Sequence, residues 1–275
     1  MLIDSHYHFD FIKDSAVQSE FVEHLNALDI QLVAQTVLPS QFEQVYQLAQ
    51  VYAQSGWTLR PALGWHPWWI ESRDQFEVEL SIFQAMLSKT RSIGEIGLDD
   101  ARKEIDEAGR QLQREVFERI LDMIVEQASL EDGESGPYTL SIHAVRSQDD
   151  VIDLIERTGV YQANTAVILH RFNGTSDQLM RHIKQGGYLS VHPDMLQTKK
   201  GRAYVQQVPA ERLLLETDLP EAAFDEATQG MAEELAAEVE QALTETLTQL
   251  SELRGEAMQP IIEATQRKLY GNQMN

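Results

Sequence analysis

The chain contains no cysteine. Disulfides, cysteine-ligated zinc, iron–sulfur clusters and a thiolate nucleophile are therefore excluded. Basic residues are scarce: 22 Lys and Arg stand against 44 Asp and Glu, which gives the 275 residues a formal charge of −22. A field of that sign repels nucleic acid and anionic lipid, so the charge argues against a passive nucleic-acid binder that fills a groove with basic side chains. An enzyme that meets a phosphate through a bound cation is not excluded, because the cation reverses the local sign. No apolar run approaches the roughly 18 residues of a membrane span, and the opening MLIDSHYHFDF lacks the basic and then apolar pattern of a signal peptide. The expectation is a soluble, cytoplasmic protein with no membrane partner. A Gly-rich phosphate loop is also missing. The first strand-like segment enters SHYHFD instead of GxGxxG, which counts against an open dinucleotide-binding sheet.

Hydrophobic residues make up 43% of the chain, enough for a sizeable core. Short apolar runs at 1–6, 31–37, 59–63, 92–97, 139–143, 166–170, 187–191 and 212–217 read as strands. Several are apolar on both faces, as parallel strands covered on both sides require. Helical patterns lie between them at about 18–28, 40–54, 75–88, 105–128, 148–158, 174–185 and 197–206, with two more at 231–253 and 257–269. Eight strands alternating with helices predict a single (β/α)8 TIM barrel over 1–275. One barrel satisfies its own core, so a monomer is expected. EDGESGP at 131–137 is the clearest loop. The segment 221–256 holds ten acidic residues and only Arg254 as a base. Leu235, Val239, Leu243, Leu247 and Leu250 keep a helical spacing there, so the acids coat an amphipathic helix.

The histidines are placed unevenly. His6 and His8 follow the first strand at i,i+2, which aims both rings the same way on an extended backbone. His143 and His170 each end a strand, Glu95 lies in SIGEIGLDD, and Asp218 follows LLLET. Taken singly, each has a bland reading as a hydrogen-bonded histidine, a strand-end carboxylate or a turn residue. In a parallel barrel all strand C-termini gather at one rim. Four imidazoles and two carboxylates converging there can hold divalent metals, with Glu95 a suitable bridge because it has two oxygens. Mixed N/O donors fit zinc or manganese and leave iron and cobalt open; magnesium suits so many imidazoles less well.

The same residues sit in blocks that resemble the TatD-type metal-dependent deoxyribonucleases, within the wider amidohydrolase-like metallo-dependent hydrolase barrels. The blocks are DSHYHFD (4–10), ALGWHPWW (62–69), IGEIGLDD (93–100), SIHAVRS (141–147), ILHRFNG (168–174) and LLLETDLP (213–220), followed by SELRG (251–255) and TQRKLYG (265–271). The resemblance implies two divalent ions, of Zn, Mn or Mg. His6, His8, Glu95 and Asp218 would hold one, and Glu95, His143 and His170 the other. It implies a role for Asp218 in positioning or activating the attacking water, and places His66 on the substrate side. The implied activity is phosphodiester hydrolysis, with trimming of DNA at a single-stranded or free 3′ end. The chain departs from the pattern at Val145, where many relatives carry arginine directly after His-x, and at Asn173, where HxFSG is common. VHPD at 191–194 is not a hallmark of the family, and EDGESGP is a longer approach to the fifth strand than is usual.

Arg146, Arg171, Lys199, Lys200 and Arg202 are the candidate phosphate contacts, against a bland reading as surface salt bridges. Trp65, Trp68 and Trp69 are candidates to stack on a terminal base, against a bland reading as loop packing. Two other functions fit the composition. One is a metal-dependent hydrolase of a small phosphoester, amide or lactone, which the acidic surface favours. The other is a non-catalytic barrel that binds partners through its acidic helices, which the complete ligand set disfavours.

Overall fold

The computed structural model describes residues 1–54, 56–57, 59–130, 136–224 and 228–271. Eight strands form one sheet in sequence order: β1 (Leu2–Tyr7), β2 (Ile30–Gln35), β3 (Leu59–Trp65), β4 (Ser92–Asp99), β5 (Tyr138–Val145), β6 (Thr165–Leu169), β7 (Tyr188–Val191) and β8 (Leu213–Leu215). Every neighbouring pair is parallel. The seam between β8 and β1 is closed by separate hydrogen bonds. The Ser5 hydroxyl donates to the Leu215 carbonyl (2.8 Å), the Asp218 N–H to the His6 carbonyl (3.0 Å) and the His8 N–H to the Leu219 carbonyl (2.7 Å). The fold is the expected (β/α)8 barrel.

Around the sheet run α1 (Ser15–Ala27), α2 (Pro39–Gln54), α3 (Arg73–Met86), α4 (Glu107–Ser129), α5 (Gln148–Thr158), α6 (Ser176–Lys184), α7 (Pro193–Gln197), α8 (Lys199–Gln207), α9 (Met231–Arg254) and α10 (Met258–Tyr270). Their sequences specify them locally. The α4 helix buries Leu112, Val116, Phe117, Ile120, Leu121 and Ile124 on one face. Asp14 caps α1 by accepting from the Ala16 and Val17 N–H groups, Thr175 and Gln178 form a capping box on α6, and Gly159, with φ 78°, ends α5.

The expected segments match with small shifts. The helix predicted over 197–206 is α8, capped by the Thr198 hydroxyl, which accepts from the Gly201 N–H (2.9 Å); the short α7 ahead of it was not expected. The last strand is shorter than 212–217: Arg212 ends a 3-10 turn, and Thr217 turns its N–H and hydroxyl onto Asp4 of β1. The acidic late segment is α9, with Val239, Leu243, Leu247 and Leu250 buried and Leu235 half-buried. Residues 131–135 of EDGESGP and 225–227 of the acidic stretch lie outside the described residues. No described helix is long and apolar enough to cross a membrane.

One end of the barrel is plugged. Ile3, Val33, Ala62, Ile168 and Leu214 pack with Leu269 and Tyr270 of α10. Gln266 ties that helix to β1, accepting from the Ile3 N–H (3.1 Å) and donating to its carbonyl (2.6 Å). The other end, where the strands terminate, carries the polar residues.

Candidate active site

Strand alternation delivers the site. Along β1 and just beyond it, Asp4, His6 and His8 share a face, as do Glu95, Gly97 and Asp99 along β4. Gly97, with φ 143°, lies against β5 so closely that a Cβ would collide with the His143 carbonyl. Only glycine lets β4 and β5 approach there, and that approach sets His143 beside Glu95.

The six expected ligand residues are brought together. His6 Nε2 lies 3.3 Å from Glu95 Oε2 and 3.6 Å from Asp218 Oδ1; His8 Nε2 lies 3.6 Å and 3.4 Å from the same two oxygens. Two donors about 2.1 Å from one tetrahedral ion sit about 3.4 Å apart. The four distances match that spacing, and they are too long for good hydrogen bonds. His6 Nε2 is buried with no hydrogen-bond partner, while its Nδ1 bonds the Ser141 hydroxyl (2.8 Å). A proton on Nδ1 satisfies Ser141 and leaves Nε2 as a bare lone pair, which is what a metal ligand requires. On the other side of Glu95, His143 Nδ1 is 2.6 Å and His170 Nε2 is 3.0 Å from Oε1. The residues therefore fit a divalent cation. Burial opposes the charge on Glu95, but the imidazoles that surround it, with the His170 ring whose own pKa is raised, and the His143 hydrogen bond outweigh it and hold the carboxyl well below its usual range.

His66 and Glu216 also lie within ligand distance of this cluster. Their hydrogen bonds favour other roles. The Trp68 N–H donates to His66 Nδ1 (3.0 Å), so the neutral ring must carry its proton on Nε2, which faces Glu95 Oε1 at 3.4 Å. Burial lowers the His66 pKa to about 4, so the ring is neutral at pH 7. Glu216 Oε1 accepts from the Arg171 N–H (2.7 Å) and Oε2 from the Ser190 hydroxyl. It stands behind His170, with Oε1 3.7 Å from Nδ1.

Three supporting residues escaped the sequence reading, although each lies inside a block already singled out. Asp99 Oδ2 accepts from His143 Nε2 (3.1 Å) and from the Trp68 indole (2.7 Å), and Oδ1 accepts from the Ala101 N–H (2.7 Å). Burial works against its charge, yet these bonds bring its pKa down to about 2. Asp4 accepts from the His6 and Thr217 N–H groups and from the Thr217 hydroxyl, fastening β1 to the segment after β8. Glu216 is the third. The alternation of strands was the signal that could have found them.

A cavity of about 630 Å³ opens above the cluster, lined in part by Phe11, Trp68, Trp69, Arg102, Arg171 and Pro220. Arg171, whose backbone has φ 42°, does not point freely into it: Nη1 donates to Asp218 Oδ2 (2.8 Å) and Nη2 to Asp194 Oδ2 (2.8 Å). Arg146 is exposed and does not line the cavity. Arg202 donates to the Leu196 carbonyl (2.8 Å) and Lys200 to the Asn173 carbonyl (2.6 Å), and neither they nor Lys199 line it. Trp65 is buried, whereas Trp68 is 46% exposed. His192 repeats the His66 arrangement, its Nδ1 accepting from the Asp194 N–H (3.1 Å) at the start of α7.

A mixed imidazole and carboxylate cluster at the C-terminal rim of a parallel barrel defines a metal-dependent hydrolase. The family model for TatD-related DNases matches residues 3–271, and the chain belongs to that family. It is 28% identical over 230 residues to the human deoxyribonuclease TATDN3, covering 80% of this chain and 78% of that protein. It is 24% identical over 229 residues to the metal-dependent hydrolase YabD of Bacillus subtilis, covering 80% of each. The crystal structure of the TatD homologue YjjV from Escherichia coli superposes with a TM-score of 0.74 over 98% of both chains at 22% identity, which speaks for the shared fold.

Proposed function

We propose that the chain is a deoxyribonuclease that carries two divalent ions, zinc or manganese, and hydrolyses phosphodiesters from a free 3′ end of single-stranded DNA. His6, His8, Glu95 and Asp218 hold the first ion; Glu95, His143 and His170 hold the second. Bound there, the ions supply Lewis-acid polarisation of the phosphate and a water of lowered pKa. Asp218 takes the proton of the attacking water as the water oxygen bonds to phosphorus, and returns it to the ester oxygen as that phosphorus–oxygen bond breaks. Arg171 grips the second oxygen of Asp218 and so keeps Oδ1 aimed at His6 and His8. His66 is a hydrogen-bond donor to a phosphate oxygen. It does not give its proton to the leaving oxygen, because a neutral ring whose Nδ1 already accepts a backbone N–H would become an anion. Asp99 and Glu216 orient the second ion's histidines from behind.

The observation that carries this reading is the ligand-like spacing of His6 and His8 around Glu95 and Asp218. The relatives named deoxyribonucleases supply the substrate class. A panel of 3′-labelled single-stranded DNA, RNA, a small phosphodiester and simple lactones, combined with metal analysis, tests it. Bound ions and metal-dependent loss of the 3′ label are expected. Turnover of lactones or small phosphodiesters without DNA would replace the nuclease with a small-substrate hydrolase.

A further inference from the structure

We infer that Arg102 reads a second phosphate, next to the one being hydrolysed, and so fits the cavity to a polynucleotide over an isolated phosphodiester. This rests on the nuclease reading above. Among the described residues, the cations that line the cavity are Arg102 and Arg171. Arg171 is committed by two 2.8 Å ion pairs to Asp218 and Asp194. Arg102 is not committed in this way. Its carboxylate neighbour is Glu104 at 3.9 Å, itself 75% exposed, and a pair of that kind contributes little. Its contact with the Trp68 carbonyl is long, at 3.4 Å. The guanidinium has donors to spare for an anion.

The group is also held in place. Its guanidinium carbon rests 5.4 Å from the centre of the Trp68 ring. That indole is fixed by its bond to Asp99, which in turn fixes His143. A chain of contacts thus references the Arg102 charge to the candidate ligand His143, so less side-chain freedom is lost when a phosphate arrives. On a protein of charge −22, an uncommitted cation that lines the cavity adds to the local positive field that a polyanion meets. Trp68 in this account supports Arg102.

The test compares wild type, Arg102→Gln and Arg102→Lys, each loaded with Mn²⁺, on two substrates: a short 3′-labelled single-stranded oligodeoxynucleotide and bis(p-nitrophenyl) phosphate, which has one phosphate. Arg102→Gln is expected to lower kcat/KM on the oligonucleotide about tenfold through KM, and to change the small diester less than about twofold. Arg102→Lys recovers part of the loss. The dependence of log KM on log salt becomes shallower by about 0.7 for Gln, the loss of one phosphate contact. Equal falls on both substrates would reveal a merely structural role, and an unchanged oligonucleotide KM and salt slope would overturn the inference directly. If wild type cleaves the small diester and not the oligonucleotide, the nuclease reading and this inference fall together. If wild type cleaves the oligonucleotide and Arg102→Gln equals it, this inference alone falls.

Discussion

Replacing His66 with Asn separates two roles that the ring performs. Nδ1 accepts the Trp68 N–H at the start of a short 3-10 turn over Pro67–Trp69, and Nε2–H faces the metal cluster. Asn is a good N-terminal cap, so its side-chain oxygen can take over the first role, and stability should change by less than about 1 kcal/mol. The melting temperature should move by no more than about 4 °C in a chain of this size. The second role disappears, because Asn is too short to place a donor where Nε2 stands. Removing one donor to developing charge in a water-poor site costs about 10²–10³ in kcat. The assay pairs single-turnover cleavage of 3′-labelled DNA with metal content by plasma emission. The expected outcome is a hundredfold or greater fall in rate with the metal content of wild type. A loss of bound metal would make His66 a ligand and refute the proton assignment, and an unchanged rate would remove His66 from the chemistry.

Asp99→Ala leaves the His143 Nε2–H without its acceptor, so metal affinity should fall about 10–100-fold in competition with a chromophoric chelator; equal affinity would contradict the supporting role. His182 offers a pH prediction away from the site. Its ring is fully buried, with Nε2 donating to the Tyr188 carbonyl (2.8 Å) and Nδ1 accepting from Tyr161 (2.7 Å), and burial lowers its pKa to about 4. The unfolded chain therefore binds a proton that the folded chain refuses, and stability falls as pH drops from about 6.5 to about 4. The cost between pH 7.5 and 4.5 is about 2.5 kcal/mol. Urea unfolding of wild type and His182→Gln across that range should show the difference between them shrinking by that order as pH falls; parallel pH curves would contradict it.

Much of the architecture is legible in the sequence because parallel strands buried on both faces read as short apolar runs, and the barrel follows from their alternation with helices. The gathering of His6, His8, His143 and His170 at one rim was legible because histidine is scarce in this chain and these four lie at or next to strand ends. Asp99 and Glu216 were less visible because carboxylates are common in this acidic chain, and their roles appear only when β4 lies beside β5, and when the residues that follow β6 meet those that follow β8. The cations were harder to read for a related reason. Arg171 ends up between two carboxylates and Arg202 under a helix carbonyl, whereas Arg102, unremarkable in DDARKE, is carried into the cavity by the turn after β4. Ion-pair partners that are distant in sequence decide which of these cations stay uncommitted.

Titrating Mn²⁺ into metal-stripped protein while measuring release of the 3′-terminal nucleotide from single-stranded DNA decides whether a two-ion nuclease sits at this rim. No release is expected without metal, and the rate should rise to a plateau at two equivalents. Saturation at one equivalent, or no release at any loading, would contradict it.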